Sequence, residues 1–210
     1  VIPFEDLWKE YNRVCKPIAA IVLFGQEPFS SMLRMSNLKD YKYDLYWEKE
    51  APTNVLQLKK RFGKNIETIS VFYKKQCTYN PQMSEDRNKR DFIYDGTITD
   101  SEIYNKSKPY YRRTGKDALA YPKSVLNFTG VVNNSKEKVG HPTQKPVALL
   151  EYLVKTYTNE GEIVLDCCIG SGTTAIACIK NNRHFIGFEL EKKYYDIAMK
   201  RIKEAQQTIF

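Results

Sequence analysis

The stretch Asp166-Cys167-Cys168-Ile169-Gly170-Ser171-Gly172-Thr173-Thr174-Ala175 sets an acid, two glycines and two threonines between an apolar run and a helix-forming run. Glycine at such a junction lets the backbone turn sharply and approach a ligand with no side chain between them. Glu189 follows seventeen residues after Gly172, at the end of the next apolar run. A carboxylate placed there can accept both hydrogen bonds of a ribose diol. Taken alone, the glycines also fit a G-x-G-x-x-A dinucleotide fingerprint. A nicotinamide-dependent oxidoreductase therefore stays open, as does a turn that merely connects strand to helix.

A second constellation is His141-Pro142-Thr143-Gln144-Lys145-Pro146. Two prolines stiffen the backbone, and Thr143 and Lys145 are donors suited to a carboxylate. The plain alternative is a rigid turn leading into a helix. His141 has no cysteine or serine nucleophile visibly paired with it and reads as structural.

Charge is unevenly placed. Of the formal +8, residues 49–123 carry +7 (16 Lys+Arg against 9 Asp+Glu), and the remainder carries +1 (17 against 16). A basic segment between near-neutral ones suggests a polyanion surface, with a solvated lysine-rich face as the bland reading. Lys59-Lys60-Arg61, Lys74-Lys75 and Arg112-Arg113 are suited to phosphates, as are Arg87 and Lys89-Arg90. Tyr110-Tyr111 beside Arg112 offers rings to bases or sugars. The five cysteines are odd in number and lack CxxC spacing. That argues against a disulfide framework and a metal site, and for a reducing cytoplasm. Cys167 and Cys168 read as small core residues. No apolar run approaches the roughly 20 residues that cross a bilayer.

These residues need elements to position them. Phe4, Leu7, Trp8 and Tyr11 recur at helical spacing after Pro3, which suits the first helical position. Ala19–Phe24 is continuously apolar and reads as a strand buried on both faces, hence parallel and central. Strands are expected over Tyr41–Trp47, Thr68–Tyr73, Ile163–Cys167 and His184–Glu189. Helices are expected over Val147–Thr156, Thr173–Lys180 and Glu191–Gln206. The alternation after residue 160 is that of a parallel sheet with helices on both faces. The organisation expected is 1–48 and 124–210 as two halves of one sheet, with 49–123 projecting as a basic insertion.

The joint pattern resembles a family. His141–Pro146, then Asp166–Thr174 twenty residues on, then Gly187-Phe188-Glu189-Leu190, look like the β-class amino-methyltransferases of DNA, of restriction-modification or phage type. In that family the catalytic half and the target-recognition segment come first and the cofactor half last, the order found here. The resemblance extends to Ile21–Gly25, Thr78-Tyr79-Asn80-Pro81-Gln82 and Tyr121–Val125, nearly the whole chain. It implies a doubly wound α/β fold with a mostly parallel sheet. It implies S-adenosylmethionine as cofactor, S-adenosylhomocysteine as product and double-stranded DNA as partner. The implied reaction is methylation of the exocyclic amine of adenine in a specific duplex sequence, with the base flipped out. The cytosine-N4 branch is the alternative.

By the same resemblance, Asp166, Gly170 and Gly172 surround the methionine part of the cofactor, with Thr173 at the helix start. Thr143 and Lys145 hold its carboxylate and backbone, Glu189 takes the ribose hydroxyls, and Phe188 or Leu190 flanks the adenine ring. Cys168 stands where the family often has phenylalanine, which leaves that part of the pocket roomier. Lys59, Lys60, Arg61, Lys74, Lys75, Arg112 and Arg113 are the expected DNA contacts. The family's catalytic Asp-Pro-Pro-Tyr motif is not among the 210 residues, so the catalytic residues are expected upstream of Val1. A non-catalytic module that holds cofactor or DNA is therefore the second reading. The oxidoreductase is the third: its fingerprint usually opens a domain, and it gives no use to the basic middle or to His141–Pro146. The setting implied is a bacterial or phage cytoplasm. A homodimer and a cognate restriction endonuclease stay open as partners.

Overall fold

In the computed structural model, which describes residues 3–85, 119–132 and 134–207, the apolar run after Pro17 forms β1 (Ile21–Gly25). Side chains alternate along a strand. Ile21 and Leu23 pack with Trp8, Leu33 and Phe72, whereas Val22 and Phe24 pack with Trp47, Ile69, Val71 and Leu149. Both faces are covered, as a continuously apolar run requires. Its neighbours differ from expectation. β1 pairs antiparallel with β3 (Ile66–Phe72), β3 pairs antiparallel with β2 (Tyr41–Glu48), and β2 pairs parallel with β6 (Val125–Asn127). The order is β1-β3-β2-β6. β1, β2 and β6 thus share one direction and β3 alone runs against them, so the sheet is mostly parallel in direction. β1 itself has an antiparallel partner and ends the ladder instead of sitting at its centre.

The domain boundaries also shift. β3 lies inside the stretch 49–123 that charge marks as an insertion, yet Ile69, Val71 and Phe72 are fully buried in the main sheet. The separate compact unit is Pro81–Pro122. Its described part is a short antiparallel pair, β4 (Ser84–Glu85) with β5 (Leu119–Ala120). Net charge cannot see this division, because the basic loops on either side of β3 outweigh an apolar strand that carries only Glu67.

Helices cover the sheet on two sides. On one lie α1 (Phe4–Val14) and α2 (Phe29–Ser36). Pro3 stands at the N-cap of α1, one position outside the helix, and Glu5 and Asp6 occupy the first turn, where the helix dipole favours acids. The Trp8 ring lies 4.8 Å from that of Phe72, and its indole N–H donates to Ser36 Oγ at 2.8 Å. On the other side lie α3 (Val147–Tyr157) and α4 (Thr173–Lys180). Seven of the eleven residues of α3 are buried, as expected for a helix covered on several sides. A parallel pair, β7 (Ile163–Asp166) with β8 (His184–Gly187), flanks α4, and α5 (Lys192–Gln207) closes the element order. The one sheet expected from the sequence is therefore two ladders among the described residues. Among them, too, no helix is long and apolar enough to cross a membrane.

Asn80 closes the C-terminus of α3. Its N–H donates to the Thr156 carbonyl at 2.8 Å, and its side-chain amide donates to Lys155 and Thr158 carbonyls at 3.2 and 3.0 Å. These are carbonyls that a helix end leaves without intrahelical partners. Asn80→Ala is expected to lower the unfolding free energy by about 1–3 kcal/mol. A shift in the urea midpoint at unchanged slope checks this; an unshifted midpoint refutes the capping role.

Candidate functional site

β7 ends at Asp166, and the chain reverses into α4 across residues 167–172. Gly170 and Gly172 have φ of 55° and 80°, a left-handed region that costs other L-residues about 1–2 kcal/mol. Space excludes side chains as well. A Cβ on Gly172 would lie 3.0 Å from the Ala198 Cβ of α5, and one on Gly170 would lie 3.0 Å from His141 Nε2. Asp166 ties the turn to the helix: Oδ1 accepts the Cys168 N–H at 3.0 Å and Oδ2 accepts the Thr174 hydroxyl at 2.5 Å. Thr173 is buried under the turn, where Arg201 of α5 donates to its hydroxyl at 3.3 Å and to the Ser171 carbonyl at 2.7 Å. Sequence reading misses Arg201, which reaches the turn from a helix thirty positions away and carries no motif.

Glu189 lies against this turn, as its spacing predicts. Oε2 accepts the Gly170 N–H at 2.9 Å and Oε1 accepts the Glu191 N–H at 2.9 Å. A carboxylate offers about four lone-pair positions, so acceptor capacity remains for a diol. Phe188 and Leu190 on either side are 58% and 99% exposed, an apolar surface open to a flat ring. The cysteines differ from expectation: Cys167 is half-buried and Cys168 exposed. β7 ends before them, and the turn carries both away from the core.

The 141–146 loop covers the other side. The His141 ring meets that of Tyr194 edge-on at 4.3 Å. Burial pushes the imidazole below its usual value; Glu189 pulls it up and Lys145 pushes it down, with a net lowering. Nδ1 of the ring accepts the Thr143 N–H, 3.3 Å away. Thr143 stays exposed beside the turn. Lys145 also reaches β3: its ammonium lies 2.8 Å from Glu67 Oε1, which engages one of its three donors. Burial would raise the Glu67 carboxyl, but the ammonium groups of Lys145 and Lys49 outweigh it and hold the group below the ordinary carboxylate value.

Lys59, Lys60 and Arg61 are exposed on the loop that follows a short 3-10 turn, Val55–Gln57, and Lys74 and Lys75 are exposed just after β3. Arg112 and Arg113 lie outside the described residues, as do Arg87, Lys89, Arg90, Tyr110 and Tyr111. Between β1 and β7 is a cavity of about 720 Å³, walled by residues 20–24 and 163–166, floored by Leu150, Leu153 and Tyr157 of α3, and continuous with Thr143 and Gly170.

A glycine turn and a strand-end carboxylate side by side at the carboxyl ends of two parallel strands define an α/β domain built for a nucleotide-like cofactor. The chain belongs to the N6_N4_Mtase family, described as DNA methylase, whose profile matches residues 3–200. It is 46% identical over 149 residues to the type II methyltransferase M.BglII of Bacillus subtilis, covering 68% of this chain and 38% of that protein. It is 30% identical over 205 residues to the DNA adenine methyltransferase YhdJ of Escherichia coli (strain K12), covering 93% of this chain and 64% of that one. The crystal structure of the M1.HpyAVI–SAM complex matches it with a TM-score of 0.60 at 27% identity, over 93% of this chain and 80% of that chain. The chain thus spans less than two thirds of the length of either curated relative.

Two glycines separate backbone strain from crowding. Gly161 has φ 76° and nothing near its missing Cβ, so Gly161→Ala should cost the backbone term alone, about 1–2 kcal/mol. Gly172→Ala adds the displacement of Ala198 and should cost clearly more. Equal losses in chemical denaturation would show that α5 gives way freely.

Proposed function

We propose that this chain is part of an enzyme that transfers a methyl group from S-adenosylmethionine to the exocyclic amine of adenine in a specific duplex DNA sequence. The observation that carries the reading is the Glu189 carboxylate seated on the Gly170 N–H, beside exposed Phe188. The residues present fit such a cofactor. Glu189 would take the ribose hydroxyls, Phe188 and Leu190 would flank the adenine ring, and the Cβ-free turn at Gly170–Gly172 would admit the methionine part near Asp166, Cys168 and Thr143. Bound there, the cofactor supplies an activated methyl group. The similarity to M1.HpyAVI, solved as a complex with SAM, supports this assignment, and the name of YhdJ supports adenine. The type II designation of M.BglII supports a restriction-modification setting with a cognate endonuclease.

DNA would be held by charge. Lys59, Lys60, Arg61, Lys74 and Lys75 are exposed and free to neutralise phosphates, and Arg112 and Arg113 extend the same basic segment in sequence. Such contacts offset the few kcal/mol needed to flip a base. The exocyclic amine is a poor nucleophile because its lone pair is delocalised into the ring. Positioned acceptors for the amine are therefore required. We assign them to a further strand that enters the cavity between β1 and β7. Among the described residues β1 pairs only with β3 and β7 only with β8, so each offers a main-chain edge, and the half-exposed Val14, Ile18 and Ile163 border the opening.

The deciding assay supplies labelled S-adenosylmethionine and unmethylated duplex to the full-length protein and identifies the labelled nucleoside. N6-methyladenine is expected. N4-methylcytosine would move the enzyme to the other branch, and cofactor binding without transfer would favour a binding module. Glu189→Ala should weaken S-adenosylhomocysteine binding by at least about tenfold, the worth of one hydrogen bond to a charged group. NAD should not compete. Undiminished binding would remove Glu189 from the site. In amide hydrogen exchange, residues 21–25 and 163–166 should be slower in the full-length protein than in the 210-residue chain alone. Equal rates would exclude the strand.

A further inference from the structure

Glu67 is a buried carboxylate near the start of β3 with two cationic partners. Lys145 Nζ lies 2.8 Å from Oε1 and Lys49 Nζ 2.8 Å from Oε2. Two ammonium groups share one carboxylate, and the surplus charge rests on aromatic faces. Lys49 lies over the Trp47 ring at 4.5 Å, and Lys145 lies over the Phe24 ring at 5.1 Å and the Trp47 ring at 5.9 Å. Trp47 is fixed in turn by its indole N–H, which donates to the Phe128 carbonyl at 2.7 Å. Desolvated cations gain most from such ring contacts, and a buried carboxylate left without its cations is costly. The cluster is therefore a rigid joint between β1, β2, β3 and the 141–146 loop.

What the joint holds is the face of the glycine turn. Lys145 Nζ also donates to the Thr143 carbonyl at 3.5 Å, the Thr143 N–H reaches His141 Nδ1, and the His141 ring occupies the space over Gly170. Gly170 in turn donates to Glu189. The path from Glu67 to Glu189 consists of contacts between named atoms and involves no ligand. The two lysines are unequal along it. Lys49 follows β2 directly and its N–H donates to the Asn65 carbonyl at 2.7 Å, so its links lead into β2 and β3 and not into the loop.

We propose that Glu67 is a positioning residue for the cofactor site: by holding Lys145 it fixes the 141–146 loop over Gly170, so that Thr143 and Glu189 meet the ligand in one arrangement. The proposal rests on the cofactor reading above. A carboxylate so far along the chain from the histidine and glycines of the site pattern, on a strand of the opposite ladder, has no local signal in the sequence.

The test measures S-adenosylhomocysteine binding by calorimetry on the full-length protein and on E67Q, K145M, the double variant and K49M, with thermal unfolding followed in parallel. E67Q and K145M should each weaken binding about tenfold, within the range by which residues in a coupling network act at a distance. The double variant should be no worse than either alone, because both changes break one link. K49M, though it removes the same number of charges from the cluster, should leave binding within about twofold. Amide exchange in residues 141–146 should rise in E67Q and K145M while that of α3 stays protected, a pattern that general destabilisation does not produce. Parent-like binding in E67Q and K145M, losses that add in the double variant, or an equal loss in K49M would each overturn the proposal. Failure of the unmodified protein to bind S-adenosylhomocysteine would instead overturn the cofactor reading, and the proposal with it.

Discussion

Gly170 and Gly172 reverse the chain between β7 and α4 in left-handed conformations, with an ordinary residue between them. Because hydrogen is all that projects from either Cα, α5 can bring Ala198 against one and His141 can lie over the other. The close approach of α5 allows Arg201 to reach the Ser171 carbonyl. The freed N–H of Gly170 becomes the seat for Glu189, which aligns the end of β8 with the end of β7. Three segments from different parts of the chain are thus located by the absence of two side chains. A larger residue would move a helix, a loop or both.

A comparable economy governs polar groups in the sheet. Asp44 and Ser70 face each other in the β2–β3 register, and the carboxylate accepts the Ser70 hydroxyl at 2.7 Å and the Arg34 guanidinium at 2.9 Å. Trp47 and Glu67 are likewise opposite each other, with the lysines completing the set. A slip of one residue would turn each acid to the other face and leave it buried without its cation, a loss of several kcal/mol apiece. The apolar residues of β2 and β3 favour burial in any register; the acids favour one. The charged groups inside this sheet therefore specify pairing as much as they stabilise it, while the cores on either face supply the bulk of the burial.

The sequence was most legible where local rules coincide. The helix expected over about Thr173–Lys180 is present because a glycine turn and a run of small apolar residues agree. Glu189 was legible because its spacing from the glycines is a consequence of one βα unit. Strand partners were not: the apolar run Ile21–Phe24 reveals that both its faces are covered, but nothing in it distinguishes a parallel neighbour from the antiparallel β3. α2 was invisible, since eight residues with Leu33 as their buried apolar side chain give too short a period. Lys145 illustrates the deeper limit. Its place in a proline-framed motif identifies the loop, whereas the direction of its long side chain depends on Glu67, 78 positions earlier in the chain.

The two ladders are held apart by one shared core. Val22 and Phe24 of β1 and Val164 of β7 pack on the same cluster as Leu150, Leu153 and Tyr157 of α3. α3 thus supports both walls of the cavity and also forms its floor. Its ends are fastened independently, by Glu137 Oε2 accepting the Val147 N–H at 3.0 Å and by Asn80 at the C-terminus. Close-packed interiors resist small displacements, so the spacing between the β1 and β7 edges is set by side chains that do not line either edge alone. An extended segment of the kind proposed would meet two main-chain edges already at a fixed separation and would cost the host little further entropy in pairing. The same fixed spacing places the carboxyl end of β1, where Phe24 meets Lys145, next to the glycine turn. The wall of the cavity and the glycine turn are therefore positioned by one packing arrangement and not by two.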